Sequence, residues 1–460
     1  MASRAGETAH ATPTAETLAE SMDDHALVAV PNHRRKSLLQ LIVVQIGWNI
    51  SVSSFLVGGV VGGGTTFAVG LTAILVGNVI LVAVSALVGL IGYRTGLTSY
   101  LLSRAVFGRV GSVLVSLLLG VLAMGFIGVL MDTWGLAVNG LFPAVPSWAF
   151  VLAFAAAITS TAIFGFKGLA RYSAIAVPIE IAIALFALFR IGAGEGGFDA
   201  VVEHVPAAPI GFSVAMGAVI ATWVTGAALT CDITRYAARP RDVLISCFTG
   251  FVIGAGIFET IATISAMKVG ESNFVLVMQT LGLLAPAAVM LMLALWNTAD
   301  NNLYSASLAF TNASNMLGLR LAKPVWTLVS IVIAVAVSFA GLADRFLVFL
   351  QVIAVVAPPF AAVLITHYWV RRRGARGEQL LEATPLVRWE ALAAWVLASL
   401  GSRYTDLLFN DAIEGLVYGA VFYLVLGAAV DAASSGRKPR SEPHDTHTDG
   451  HTANVPKGES

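Results

Sequence analysis

Residues 291–308 read LMLALWNTADNNLYSASL, an apolar segment whose centre, from Asn297 to Asn302, carries three amides, a hydroxyl and a carboxylate. A second stretch, IVVQIGWNISVSSFLVGG at 42–59, sets Gly47, Trp48 and Asn49 in the middle of an otherwise apolar run. Polar groups at bilayer depth are costly unless they line a cavity or meet protein partners, so such segments mark a substrate or ion pathway. They point to a transporter.

At about 100° per residue, the polar side chains of 297–302 cover an arc of roughly 200° and leave Ala299 opposite. A helix polar over that much of its girth belongs in the protein interior. Positions 294, 297, 298 and 301 follow i, i+3, i+4, i+7 spacing, which puts the Asn297 and Thr298 oxygens on one face beside the Ala294 carbonyl. That is a partial shell for a hard cation if unwound carbonyls of a broken neighbour complete it. The same spacing also suits amides that only bond helices together.

The rest of the 460 residues agree with a membrane setting: 57% are hydrophobic and 12% charged, and mean hydropathy is +0.82. These values exclude an ordinary soluble domain. Apolar runs of about 18 to 25 residues give twelve spans, near 38–60, 69–92, 112–138, 148–166, 172–190, 211–232, 243–266, 281–309, 324–341, 346–369, 387–402 and 414–431. Alternate loops are rich in lysine and arginine, from Arg34, Arg35 and Lys36 to Arg437, Lys438 and Arg440. The others hold only Arg190, Lys268, Arg345 and Arg403. Because basic loops are retained inside the cell, both termini are expected in the cytoplasm of a multi-pass plasma-membrane protein.

Residues 1–36 are polar and lack a signal-peptide core, so they are expected as a disordered tail, as is 432–460. His444, His447 and His451 in the latter are read as solvated. Cys231 and Cys247, both near the cytoplasmic ends of spans, are not expected to form a disulfide.

Two spans carry signs of interruption at mid-depth. The first has Gly47 and Asn49, then Gly58, Gly59, Gly62, Gly63 and Gly64, and the sixth has Thr222, Trp223, Thr225 and Gly226 within ATWVTGAALT. Interrupted helices five spans apart indicate two inverted five-helix repeats with the site between them, although such glycines also allow plain close packing. Pro178 and the pair Pro358 and Pro359 are further kinks.

Several motifs, taken together, resemble the nucleobase-cation symporter family of cytosine and purine permeases and the hydantoin transporter. They are GYRTGLTSYLLSRAVFG at 92–108, Gly125 to Gly128, LTCDITRYA at 229–237, LWNTADNNLY at 295–304 and APPFAAVLITHYWVRRR at 357–373, and the resemblance runs over about 36–430. It implies an all-α membrane protein of LeuT type, with a first repeat over 37–192, a second over 193–370, and two appended helices over 371–431. It further implies a planar heterocycle stacked between Phe126 and Trp223, which the offset-stacking preference of aromatic rings suits. Thr222, Thr225, Asp300 and Asn301 are then placed to meet the polar ring edge.

The family's sodium site, carried over by position, falls on Gly47, Ile50, Ala294, Asn297 and Thr298. Asn297 departs from the family's hydroxyl residue. Cytosine permeases tend to have Trp at the position of Phe126, Asn at that of Ala299 and Asp at that of His367, differences that bear on which base is recognised.

Asp132, Glu180 and Glu259 sit within apolar spans, where a buried carboxylate can exchange protons. The expected function is import of a nucleobase or related heterocycle by cation symport with alternating access, sodium being the coupling ion and the protein a monomer without nucleic-acid partners. Alternatives are a proton-coupled carrier of a hydantoin, allantoin or a thiamine-precursor pyrimidine, an amino-acid or amine carrier on the same fold, and a non-transporting substrate sensor. An enzyme is not expected, because the only histidine near a span is His367 and no catalytic cluster accompanies it.

Overall fold

The first apolar segment folds as two helices. α1 spans Leu38–Asn49 and α2 spans Val52–Gly64, with a 55° bend between them. The linking residues are extended, Ile50 at φ −80°, ψ 102° and Ser51 at φ −141°, ψ 156°. Serine hydroxyls satisfy the backbone released there. Ser51 Oγ accepts from the Ser53 N–H at 3.2 Å, and Ser54 Oγ donates to the Asn49 carbonyl at 3.2 Å. Helix ends in a bilayer need such partners, since water is absent.

The computed structural model describes residues 24–194, 196–270, 280, 282, 284–341, 346–372, 379–382, 384–405, 407–408 and 410–435. Among them no strand occurs beyond an isolated bridge between Lys36 and Ala237. His444, His447, His451 and Arg345 lie outside the described residues.

After α2 come α3 (Phe67–Thr95), α4 (Ser99–Leu141), α5 (Ser147–Ala162) and α6 (Phe166–Ala193). Then α7 (Phe212–Ala228) is followed by one short turn, α8 (Cys231–Thr234). α9 (Pro240–Phe248) runs through a π-helical stretch at Thr249–Ala255 into α10 (Gly256–Val269). The later long helices are α11 (Leu284–Met316), α12 (Lys323–Phe339), α13 (Phe346–Thr366), α14 (Trp389–Tyr404) and α15 (Asp411–Ser435), and single turns occur at Asp199–Val202 and Gln379–Glu382. Seven of these segments are long and apolar enough to cross a bilayer, and the bent pair α1–α2 makes an eighth. Large apolar side chains point outward, Ile175 and Phe189 at 68% exposure and Val332 at 67%. That surface suits lipid.

Two groups of helices emerge from the packing. In one, α4, α5, α11 and α12 lie against one another; in the other, α2 packs on α10 and α3 packs on α7, α8 and α9. We call these the scaffold and the bundle. α6 touches α1, α10 and α11 and so bridges the two.

The glycines that suggested an interruption turn out to serve this packing. A Cβ at Gly58 would lie 2.4 Å from the Glu259 carbonyl oxygen, and one at Gly62 would lie 2.5 Å from that of Thr263. Thr263 Oγ1 donates to the Gly58 carbonyl at 2.9 Å across the same contact. Small residues four apart let two backbones meet, as membrane helix pairs require. The first span breaks directly after Asn49, but the second interruption is displaced: Thr222 to Gly226 stay helical within α7, and the helix ends at Leu229 and Thr230.

In α4, Gly108 takes φ 85°, ψ 170° and divides the helix. The groups released there bond to the chain before α14, with Arg109 N–H donating to the Pro385 carbonyl at 3.0 Å and Arg388 N–H to that of Phe107 at 3.0 Å. Both cysteines are buried and free.

Of the two expected tails, residues 24–36 lie against the helices: Ala26 and Val30 are buried, and Lys36 N–H donates to the Tyr236 carbonyl at 2.7 Å. Residues 432–435 continue α15. The apolar run at 26–30 is too short to register as a span, and its Val30 N–H bonds to the Gly96 carbonyl, far along the chain.

The Gly58 contact yields a direct expectation. Gly58→Ala should destabilise the protein by about 1–3 kcal/mol through forced separation of α2 and α10. Gly211→Ala, where a Cβ meets nothing within 4 Å, is the control. Thermal unfolding in detergent should show a lower Tm for the first and little change for the second.

Candidate substrate and cation site

The break between α1 and α2 organises the polar interior. Ser54, one turn into α2, uses its hydroxyl twice: it donates to the Asn49 carbonyl and accepts from Trp223 Nε1 at 3.1 Å. Trp223 therefore has its indole edge fixed to the broken helix while its ring lies along α7. It is only 5% exposed. On the same helix, Gly226 lies beside both indoles; a Cβ there would be in ordinary contact, 3.7 Å from the Trp48 ring and 3.6 Å from that of Trp223.

On the other side of the break, Gly47 faces α6 and α11. A Cβ at Gly47 would lie 2.7 Å from Ser173 Oγ and 3.0 Å from Asn297 Oδ1, so these oxygens crowd the α1 backbone. Ser173 Oγ donates to Asn297 Oδ1 at 2.9 Å. Thr298 Oγ1 and Asn297 Nδ2 are buried with no hydrogen-bond partner. Ile50 and Ala294, both fully buried, belong to one apolar cluster with Ile46 and Val177. Thus Gly47, Asn297 and a residue sequence reasoning missed, Ser173, come together, while Ile50 and Ala294 share a neighbourhood. Ser173 carried no sequence signal beyond being a small polar residue in an apolar span.

The residues expected at the ring edge fare differently. Thr222 Oγ1 donates to its own helix at the Ala218 carbonyl, 2.8 Å away, whereas Thr225 Oγ1 is buried and unpartnered. Asn301 Nδ2 donates to the Asn297 carbonyl at 2.9 Å. Asp300 faces the scaffold: its carboxylate is buried, and its polar neighbours are Thr161 at the end of α5 and Lys323 at the start of α12. On the helical wheel Asp300 could have faced either way; the packing of α11 against α5 and α12 decides it. Phe126 is half-buried on α4, its ring tilted at 50° to Phe349 with centroids 6.3 Å apart.

The three acids divide likewise. Asp132 is only partly buried. Glu259 accepts from Asn78 Nδ2 at 2.6 Å inside the bundle, between α3 and α10. Glu180 is fully buried on α6; its polar neighbour is the Asn297 amide, yet neither carboxylate oxygen makes a hydrogen bond of ordinary geometry. His367 is buried at the end of α13 and bonds through Nδ1 to the Tyr423 hydroxyl at 2.6 Å.

A family described as permease for cytosine/purines, uracil, thiamine and allantoin matches residues 29–402. The cytosine permease of Escherichia coli strain K12 is 31% identical over 399 residues, covering 86% of this chain and 92% of that protein. Among solved structures, the fold is similar to Mhp1, a nucleobase-cation-symport-1 family transporter in a closed conformation with bromovinylhydantoin bound. The TM-score is 0.77 at 20% identity, covering 89% of this chain and 96% of that one. A Na+-coupled sialic acid symporter is also similar, with a TM-score of 0.63 at 14% identity over 90% of this chain and 93% of the other.

Ser54 offers a test of the geometry around the break. Ser54→Ala removes the acceptor of Trp223 Nε1 and the donor to Asn49, leaving buried polar groups unpaired at a cost of about 1–3 kcal/mol. Substrate affinity should fall while the protein still folds. Equilibrium binding of cytosine, as the probe, to purified variant and parent measures the change.

Proposed function

Because the chain belongs to the family of permeases for cytosine/purines, uracil, thiamine and allantoin, we propose that it imports a nucleobase or related planar heterocycle by cation symport, with the bundle moving against the scaffold. The observation that carries the site assignment is the helix break at Ile50 and Ser51. It holds Trp223 on one side through Ser54 and, on the other, places Gly47 against Asn297 and Ser173. A heterocycle has apolar faces and a rim of donors and acceptors, so it needs an aromatic platform with polar groups at its edge. Trp223 supplies one face and Phe126 the other, with Thr222, Thr225 and Asn301 toward the rim. Asp300, which neighbours Lys323, is assigned to the scaffold instead.

We further assign twelve crossings in two inverted repeats of five, 37–192 and 193–370, followed by two helices, with both termini in the cytoplasm and the plasma membrane as location. The repeat places α1–α2 and α7–α8, both interrupted, at equivalent positions. The basic loops support the orientation.

For coupling, sodium is the first reading. The fit of the residues is supported by the Asn297 carboxamide oxygen and the Ser173 hydroxyl, which crowd the α1 backbone at Gly47, and by Thr298 Oγ1, the next residue of α11, which is buried and unpartnered, oxygen groups of the kind a hard cation takes. Gly47, Ile50, Ala294, Asn297 and Thr298 would hold the ion, with Ser173 as a further hydroxyl. The ion would supply positive charge that draws α1, α6 and α11 together. Proton coupling is the second reading, favoured by the buried Glu259 and its bond to Asn78 in the moving bundle.

The two readings separate in one set of measurements on reconstituted protein. Sodium and substrate affinities must rise together, because linkage is reciprocal. Thr298→Val should lower substrate affinity in sodium and leave the sodium-free value unchanged. Accumulation that ignores sodium, follows an imposed pH gradient and disappears in Glu259→Gln decides for the proton. Trp223→Ala should abolish binding of either coupled form; uptake with unaltered KM in that variant removes Trp223 from the site.

A further inference from the structure

The segment before α1 is built into the molecule by a cluster of contacts at the arginine-rich face. The Asp24 carboxylate accepts from Tyr304 Oη of α11 at 2.8 Å and from the Phe166 N–H at the start of α6 at 3.2 Å. Arg235, which follows α8, is fully buried and lies 3.5 Å from the same carboxylate. Its guanidinium also donates to the Asp24 carbonyl at 2.9 Å, the His25 carbonyl at 2.8 Å and Tyr304 Oη at 2.7 Å. Tyr236 Oη donates to the Asp24 carbonyl at 3.0 Å. Burial opposes the charge on Arg235, but Tyr236, Tyr304 and Asp24 outweigh it and raise its pKa above the ordinary guanidinium value.

Backbone geometry shows that the fit is specific. Asp24 and His25 both take φ 52°, a region L-residues rarely adopt. Two glycines with positive φ flank the segment. A Cβ at Gly165 would lie 2.5 Å from the Asp24 carboxyl carbon, and one at Gly96 would lie 3.0 Å from the Val30 nitrogen, whose N–H donates to the Gly96 carbonyl at 2.9 Å. Strained residues held by so many partners are over-determined by their surroundings, the pattern of a switch region rather than a tail.

The partners come from both groups of helices. Arg235 and Tyr236 follow α8 of the bundle, Tyr304 belongs to α11 of the scaffold, and Phe166 opens α6, which bridges them. We propose that residues 24–30 are a cytoplasmic latch: Asp24 ties bundle to scaffold on the cytoplasmic side and must withdraw before that side can open. This rests on the cytoplasmic orientation assigned above but on neither the substrate nor the coupling ion. Arg235 left without Asp24 retains the Tyr304 hydroxyl, so loosening the latch weakens the closed state without stripping the cation of every partner.

Ser305→Cys reports the opening, because Ser305 of α11 is buried against the bundle, its hydroxyl donating to the Asp232 carboxylate of α8 at 3.4 Å. In full-length protein carrying Cys231→Ser, Cys247→Ser and Ser305→Cys, in inside-out vesicles, modification by a membrane-impermeant maleimide should be about tenfold faster with Asp24→Asn than with Asp24 intact, as expected for a tenfold rise of a minor open state. Tyr304→Phe should act in the same direction, and the double variant should gain less than the product of the two. Deletion of residues 1–23 should leave the rate unchanged. If Asp24→Asn does not fold, Gly165→Ala displaces the carboxylate with every charge retained and should show the same acceleration. A parental rate in Asp24→Asn, or in Gly165→Ala when that arm is needed, overturns the latch. So does equal acceleration by deletion of residues 1–23, or labelling confined to right-side-out vesicles.

Discussion

Where a helix stops inside a bilayer, its free carbonyls and amides have no water to turn to. At Ile50 and Ser51 this requirement is met by two serine hydroxyls, and Ser54 goes further by accepting the Trp223 indole while it satisfies Asn49. One side chain thereby ties the interruption of α1–α2 to the aromatic platform on α7. The position of the platform, the exposure of the α1 backbone toward Asn297, and the close seating of α2 on α10 all follow from where that interruption falls.

The helices themselves were legible because period and hydropathy act over many residues at once, and the family motifs located α4, α7–α8, α11 and α13. The points of interruption were less legible. Glycine at mid-span carries two meanings, a weak point or a contact surface, and only the neighbour decides between them. Gly58 and Gly62 face the carbonyls of Glu259 and Thr263 and are contact surfaces. Serine, a common residue with many uses, gave no comparable signal, so Ser51, Ser54 and Ser173 were passed over. Asp300 shows the same limit for direction, since an arc of polar residues does not say which neighbour each meets.

The buried acids illustrate how environment separates residues of one type. Glu259 has an amide partner within hydrogen-bond distance and sits among bundle helices. Glu180 has an amide neighbour without a formed bond, on the helix that touches both groups. Asp300 lies near a lysine in the scaffold. A carboxylate whose partners move relative to it changes surroundings during a cycle, and α6, which touches both groups, offers such a place, whereas Glu259 travels with its amide partner inside the bundle.

The clasp around Asp24 also bears on how the protein is made. Asp24 emerges from the ribosome before α1, whereas Arg235 and Tyr304 stand 211 and 280 residues further along. Chains fold from the N-terminus as they are synthesised, so this aspartate waits through the insertion of most of the molecule before its partners exist. Closure of the arginine-rich face is therefore a late step in biogenesis, completed around Asp24. A polypeptide halted before α11 would hold Asp24 through Phe166, Arg235 and Tyr236 alone and would lack the tie to the scaffold that Tyr304 supplies.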